Sequence, residues 1–435
     1  MASIVVIGAG LGGLAAAVRL AKLGHRVTVC ERENRIGGTL GTLAADGFRW
    51  DTGAASTTLP AALRDLFRKS GRPLEQVADL VPITDPRRHV FTDGTVLDLP
   101  LLDRADQRRA WRTVVGERSA EQWTTLLDSY ADVWETVRTT ALDQPPPRRQ
   151  SVRALRTLRP WQSLERVASR RLDDERARAA LTYYAAVCRS DPRRTPAYVG
   201  VAAYLERTFG CWTFADGFAA LVDALAKRLV ERRVEVRLGA EVAAVATSGG
   251  AVRGVRLSDG ELLAADAVVS DLDPRVLYEE LVYAPEADGV RKQLRKTHDA
   301  EATYVVHLGL RDPVPDLPFE TVLHGDPLVV VRVAGTAPAG HRAWSVLVHG
   351  YPTEDALDLL TGRGIDVREQ VVSRQTSPSW LCGVAWEGSR TVRRRAANIS
   401  PVQGLYCVGS GAHPGGGVPA TALGAAIVAS AVGKA

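Results

Sequence analysis

The sequence predicts an α/β protein: a Rossmann-like domain, a discontinuous mixed α+β domain beside it, and a helical insertion. Three observations predict it. The chain opens as strand, glycine turn, helix and strand; helical spacing then takes over for about a third of its length; it closes on another strand, glycine turn and helix.

The opening unit spans Ser3 to Glu31. Ile4 to Ile7 is an unbroken apolar run, as expected of a parallel strand buried on both faces. Leu14, Val18 and Ala21 then share one helix face, Gly24 stops the helix, and Arg26 to Cys30 forms the next strand. From Thr57 to Arg207 the spacing is helical, with an exposed bend at Pro145-Pro146-Pro147-Arg148-Arg149. Phe218, Leu221, Val222, Leu225 and Leu229 mark a further helix, and Val234, Val236 and Leu238 alternate as a strand. Three short strands follow, turned at Ser248-Gly249-Gly250 and Asp259-Gly260, then a buried strand at Ala267 to Ser270. Thr303 to Leu310, Leu328 to Val333 and Ala343 to His349 read as strands of a second sheet. This divides the chain into a first domain of residues 1–56, 215–290 and 395–435, and a second of residues 57–214 and 291–394, of which 57–207 is largely helical.

Composition narrows the function classes. The chain has 435 residues, 46% hydrophobic and 24% charged, which is globular and enough for two or three domains. Its net charge of +5 is small against 55 basic and 50 acidic side chains, and no basic stripe accompanies it, which argues against nucleic acid. Cys30, Cys188, Cys211, Cys382 and Cys407 are scattered without a C-x-x-C pair, so neither a disulfide framework nor a metal site is expected and a reducing cytoplasm fits. The apolar N-terminus belongs to the glycine motif and reads as a strand, not a signal peptide. Leu59, Leu63 and Phe67 share one helix face, either plain core or a lipid-facing stripe for peripheral membrane contact.

Glycine-rich turns carry the chemistry. In VVIGAGLGGL, Gly8 permits the tight turn, Gly10 lets the backbone approach a pyrophosphate, and Gly13 lets helix pack on strand. The helix N-terminus offers unpaired N–H groups to the phosphates. Glu31, ending the second strand, can accept both ribose hydroxyls and disfavours a 2′-phosphate. A second glycine pair at Gly37 and Gly38 suits a cofactor that extends past its pyrophosphate. The tail GLYCVGSGAHPGGGVPATALGAA repeats the logic: Gly409 follows a strand and Pro419 suits a helix's first turn. Amides near Val418 and Ala420 could face the electron-rich edge of a reduced flavin. Two such turns would be redundant for NAD but natural for one FAD.

VVIGAGLGGLAAAVRLAKLGHRVTVCERENRIGG, DGFRWDTG, ADGFAALVDALAKRL, VEVRLGAEV, ADAVVSDLDP and GLYCVGSGAHPGGGVPATA together resemble the phytoene desaturase-like flavoproteins of the flavin amine oxidase superfamily. The resemblance implies a noncovalent FAD held at Gly8, Gly10, Gly13, Glu31, Arg32, Gly37, Gly38, Val242 and Gly409, with Ser410 and the Val418 to Ala420 turn at the flavin. The chain departs at Thr39, where many relatives have Arg, and in VVSDLDP, with Asp271 and Leu272 where relatives often read VVSNADP.

A flavin dehydrogenase needs a hydride acceptor at flavin N5 and a group or solvent to take the proton. His413 in the C-terminal turn is the first candidate base, Asp191 and Arg189 the second; His307, His349, Trp386 and Glu387 could face the substrate, and Asp51 reads as structural. The expected function is FAD-dependent desaturation of an apolar, polyene or isoprenoid, small molecule. The alternatives are oxidation of an amine or amino-acid-derived substrate, and noncatalytic lipid escort.

Overall fold

The computed structural model describes residues 1–142, 144–146, 151–350, 352–377 and 384–435. Pro147, Arg148 and Arg149 of the proline bend, and Cys382, lie outside the described residues.

The N-terminal unit folds as its spacing predicts: β1 is Ser3–Ile7, α1 Leu11–Lys22 and β2 Arg26–Cys30. These lie in a five-stranded parallel sheet ordered Leu405–Cys407, Ala267–Ser270, β1, β2, Glu235–Arg237. Strands from both ends of the chain are thus separated by one strand only. Ligands of such sheets bind beyond the strands' C-terminal ends, and the Gly8 and Gly409 turns both leave from that edge. The apolar faces of α1, the helix Ala220–Glu231 and the C-terminal helix Val418–Val432 merge into one core with Ile4, Val6 and Val29.

A second, mixed sheet has seven strands, ordered Val371–Ser377, Thr303–Arg311, His341–His349, Val329–Arg332, Glu320–Leu323, Arg87–Val90, Val96–Leu99. Its last two strands come from the stretch read as helical. They form a hairpin, and Arg87–Val90 pairs in parallel with Glu320–Leu323. The hairpin departs from the apolar alternation expected of a strand because the inward positions of its first strand are Arg87 and His89, both buried, although arginine is mostly exposed and histidine intermediate.

Four charges hold this junction. Arg87 Nε donates to Glu320 Oε1 at 2.6 Å and its Nη1 pairs with Glu206. Arg332 donates to Glu320 Oε2 at 2.8 Å, and the Tyr183 and Tyr184 hydroxyls donate to Glu320 and Glu206, each at 2.8 Å. Burial opposes ionisation of Glu320, but Arg87 and Arg332 hold its carboxyl far below the usual range.

Leu63 and Phe67 are fully buried in the core shared with α1, so this face is plain core, the first of its two readings. One reading is corrected here. The strand at Val234–Leu238 shortens to Glu235–Arg237 and Leu238 is exposed, because only three residues pair with β2. Among the described residues no helix is long and apolar enough to cross a membrane, and no side-chain cluster could hold a metal ion.

Candidate cofactor cradle and adjoining cleft

Three glycine segments meet at the C-terminal edge of the parallel sheet. The Gly37 amide donates to the Ala9 carbonyl at 2.8 Å, and a Cβ on Gly38 would stand 3.1 Å from Gly10 Cα. A Cβ on Gly12 would stand 2.7 Å from the Gly409 amide nitrogen, and one on Gly13 would collide with the Gly8 carbonyl oxygen. Gly8, Gly37, Gly38 and Gly409 all have positive φ, which side chains other than glycine adopt with strain. The cradle is therefore shaped by missing side chains, and the two ends of the chain touch inside it.

Glu31 is 8% exposed and accepts the Ala9 amide at 2.6 Å and the Glu33 amide at 2.9 Å. A carboxylate has about four acceptor positions, so two remain for hydroxyl donors. Arg32 lies at the surface, 3.4 Å from Glu33. Val242 belongs to the buried cluster that also holds Ile7 and Cys30. The first turn of α1 contributes N–H groups without intrahelical partners, and one of them, at Gly13, serves the Asp271 carboxylate. Asp271 was singled out in the sequence as a departure; that its side chain reaches into the cradle needed three dimensions.

The second turn is packed from behind. The helix Val418–Val432 starts at Gly417 with Pro419 in its first turn, Val418 buried and Ala420 half-buried. Ser410 is half-buried, and its carbonyl accepts Arg395 Nη1 at 3.2 Å. Arg395 is 3% exposed, sits 4.2 Å from the Trp386 ring centroid, and is pushed down to about 10 by burial. Trp386 in turn covers Gly415, where a Cβ would meet its ring at 2.5 Å. Nothing in the Arg-rich run around Arg395 marked it out in the sequence.

His413 is 2% exposed. Its Nε2 faces the Gln144 carbonyl at 3.0 Å, so Nε2 carries the proton, and Nδ1 is buried with no hydrogen-bond partner among the described residues. Burial lowers its pKa, which leaves the ring neutral at pH 7. Asp191 and Arg189 lie on the loop after the helix Glu175–Val187; Asp191 accepts the Arg193 amide at 2.8 Å and Arg189's carbonyl accepts the Glu301 amide. That loop borders a cleft of about 400 Å³ lined by Ser190, Glu301, Leu328 and His349. Burial, helped by Asp191 and Glu387, raises the Glu301 pKa, and burial lowers that of His349 to about 4. Ser190 Oγ accepts the Trp386 amide at 2.8 Å, so Trp386 stands between this loop and the glycine turn. Glu387 is buried and paired with Arg194.

Two candidates are structural. His307 is held between the Ser345 and Ser377 hydroxyls at 2.9 and 2.7 Å inside the seven-stranded sheet. Asp51 accepts the amides of Phe218 and Ala219 at 2.7 and 3.1 Å, fixing the entry to the helix Ala220–Glu231.

The profile of one family, described as flavin containing amine oxidoreductase, matches residues 11–377. An all-trans-zeta-carotene desaturase of Myxococcus xanthus is 30% identical over 95% of this chain and 90% of its own length. A 4,4'-diapolycopene oxygenase of Methylomonas sp is 25% identical over 98% and 97%. Among solved structures, a putrescine oxidase bound to putrescine superposes with a TM-score of 0.74 at 16% identity, covering 99% of both chains. A cyclohexylamine oxidase of Brevibacterium oxydans IH-35A gives 0.68 at 18% identity, again over 99% of both.

Proposed function

The chain belongs to the flavin containing amine oxidoreductase family, in its phytoene desaturase-like branch, and is an FAD-dependent oxidoreductase; from that premise we propose that it dehydrogenates an apolar polyene. The observation that carries the reading is the meeting of Gly12 and Gly409, which makes one continuous cradle from the two ends of the chain. The substrate class follows from relatives named for carotene and diapolycopene chemistry, similar over nearly the whole chain.

When bound, FAD supplies the hydride acceptor. Glu31 would hold the ribose hydroxyls with its two remaining acceptor positions, and the first-turn amides of α1 would hold the pyrophosphate. Gly37 and Gly38 would let the cofactor pass over the backbone, Val242 would border its adenine end, and Ser410 and the Val418 to Ala420 turn would border the flavin. Arg32, exposed at the cradle's rim, would add positive charge. His413, neutral and with Nδ1 unpartnered among the described residues, would take a proton from substrate once Nδ1 is uncovered; Asp191 and Arg189 would act at the cleft mouth. Trp386 would keep water from the turn. All five strands of the parallel sheet fall within residues 1–56, 215–290 and 395–435, which supports taking those segments as the FAD domain.

The protein reconstituted with FAD should absorb near ~450 nm and bleach when given a carotene anaerobically in detergent. Bleaching by amines but not by polyenes would overturn the substrate class. A Glu31→Ala variant should bind FAD about 10- to 100-fold more weakly, the effect of losing hydrogen bonds to a charged group worth roughly 1.5–3 kcal/mol; fluorescence titration of the apoprotein reads it.

A further inference from the structure

The α1 amides that would bind a pyrophosphate already have an anion beside them, from the chain itself. Asp271 follows the strand Ala267–Ser270, and its Cβ lies 3.5 Å from where a Gly8 Cβ would be. Its carboxyl oxygens fill the space above three glycines: a Cβ on Gly10 would come within 2.5 Å of Oδ2, and one on Gly12 or Gly409 would collide with Oδ1. The Gly13 amide donates to it. Two of the three converging segments therefore close directly on this carboxyl.

We propose that Asp271 makes FAD retention proton-dependent: the cradle takes the dinucleotide with the Asp271 carboxyl protonated, and ionisation of that carboxyl drives the cofactor out. The inference rests on the FAD assignment above. Two anions sharing one set of amides repel, and the group able to relieve this by accepting a proton is the carboxyl, since pyrophosphate diester oxygens stay ionised at all ordinary pH. Protonated, the carboxyl changes from competitor to donor and can give a hydrogen bond to a phosphate oxygen. The balance is simple: one proton is taken from solvent on binding and returned on release, and no bond is made or broken elsewhere.

The surroundings place this titration in a useful range. Burial, opposed by the Gly13 amide and reinforced by Glu31, pushes the Asp271 carboxyl up to about 7 before any cofactor arrives. Glu31, from the end of β2, is the charged side chain acting on it; the Gly8–Gly13 and Gly409 segments bring only backbone and glycines. On its own loop, Asp273 is tied to Arg275 at 2.7 Å. No Lys or Arg among the described residues offsets the charge on Asp271. A pyrophosphate adds negative charge and raises the carboxyl further.

By linkage, the dissociation constant of the wild type should rise by up to about tenfold per pH unit once the pH passes the cofactor-free Asp271 pKa of about 7, and level off above the higher pKa of the bound state. Fluorescence titration of apoprotein with FAD from pH 6 to 9 reads this. The near-isosteric Asp271→Asn variant, which cannot ionise, should give a flat profile: similar affinity at pH 6 and at least tenfold tighter binding at pH 8.5. Calorimetry of the wild type at pH 8 in two buffers of different ionisation enthalpy should show proton uptake. Parallel pH profiles for the two proteins, or no proton uptake, would overturn the proposal. So would an asparagine variant that binds no tighter at pH 8.5. If neither protein takes up FAD at any pH, the cofactor assignment itself falls.

Discussion

A Gly12→Ala variant will purify without colour and will not regain it on incubation with FAD. Local propensity argues the other way, since alanine stabilises a helix interior by about 1 kcal/mol over glycine. The packing decides. The new methyl would stand 2.7 Å from the Gly409 amide nitrogen and collide with Asp271, so the two turns must move apart or α1 must shift. Interiors do not absorb such an overlap freely; overpacking of this kind typically costs about 1–3 kcal/mol. Because the displaced atoms are those that would face the pyrophosphate, FAD affinity should fall at least ~100-fold, equivalent to about 2.7 kcal/mol. Far-UV circular dichroism should stay native. A variant that keeps both its fold and its yellow colour would show that the two turns do not form one site.

An Arg87→Met variant should lose about 3–5 kcal/mol of stability, the range found when one partner of a buried ion pair is removed. The methionine fills much of the volume but leaves Glu206 and Glu320 buried with fewer donors. Glu320 keeps Arg332 and Tyr183; Glu206 keeps Tyr184 and a long contact from Cys211 at 3.5 Å. Adding Glu206→Gln should recover part of the loss by removing the orphaned charge. Denaturant midpoints for the wild type, the single and the double variant measure both effects. A single variant as stable as the wild type would mean that the helices carrying Tyr183, Tyr184 and Glu206 are held to the sheet by apolar packing alone.

The parts of this fold that were legible in the sequence are those where chemistry and periodicity agree. β1, α1 and β2 alternate between an unbroken apolar run and helical spacing, and the glycines sit where the turn needs them. The cofactor cradle was legible for the same reason: Gly8, Gly10, Gly13 and Glu31 stand at fixed spacings along one local unit. The hairpin at Arg87–Val90 and Val96–Leu99 was not, because its first strand buries Arg87 and His89 beside Leu97 and Leu99 of the second, and its partner strand lies far along the chain. The strand Val371–Ser377 was missed as well; it pairs along one side only, with Thr303–Arg311, and alternates small, polar and charged residues. Arg395 and Asp271 show a second kind of blindness. Arg395 is an ordinary charged residue in a charged run and Asp271 stands out only as a departure from a motif; the distinction of each lies in neighbours brought from elsewhere, Trp386 and Ser410 for one, three glycines for the other. Asp51 and His307 show the reverse, since both stand in eye-catching places and are tied up by amides or hydroxyls.

The sheet order has a consequence for how the protein is made. β1 emerges from the ribosome long before the strand Leu405–Cys407 and its turn. At about 5–20 residues per second, the interval between Cys30 and Leu405 takes on the order of 20–75 s of translation. Throughout that time the nascent Gly8 turn lacks the wall that Gly409 provides, and the apolar face of α1 lacks the helix Val418–Val432. The complete cradle therefore exists only once both turns have been made, and a chain lacking the helix Val418–Val432 would leave the apolar face of α1 uncovered.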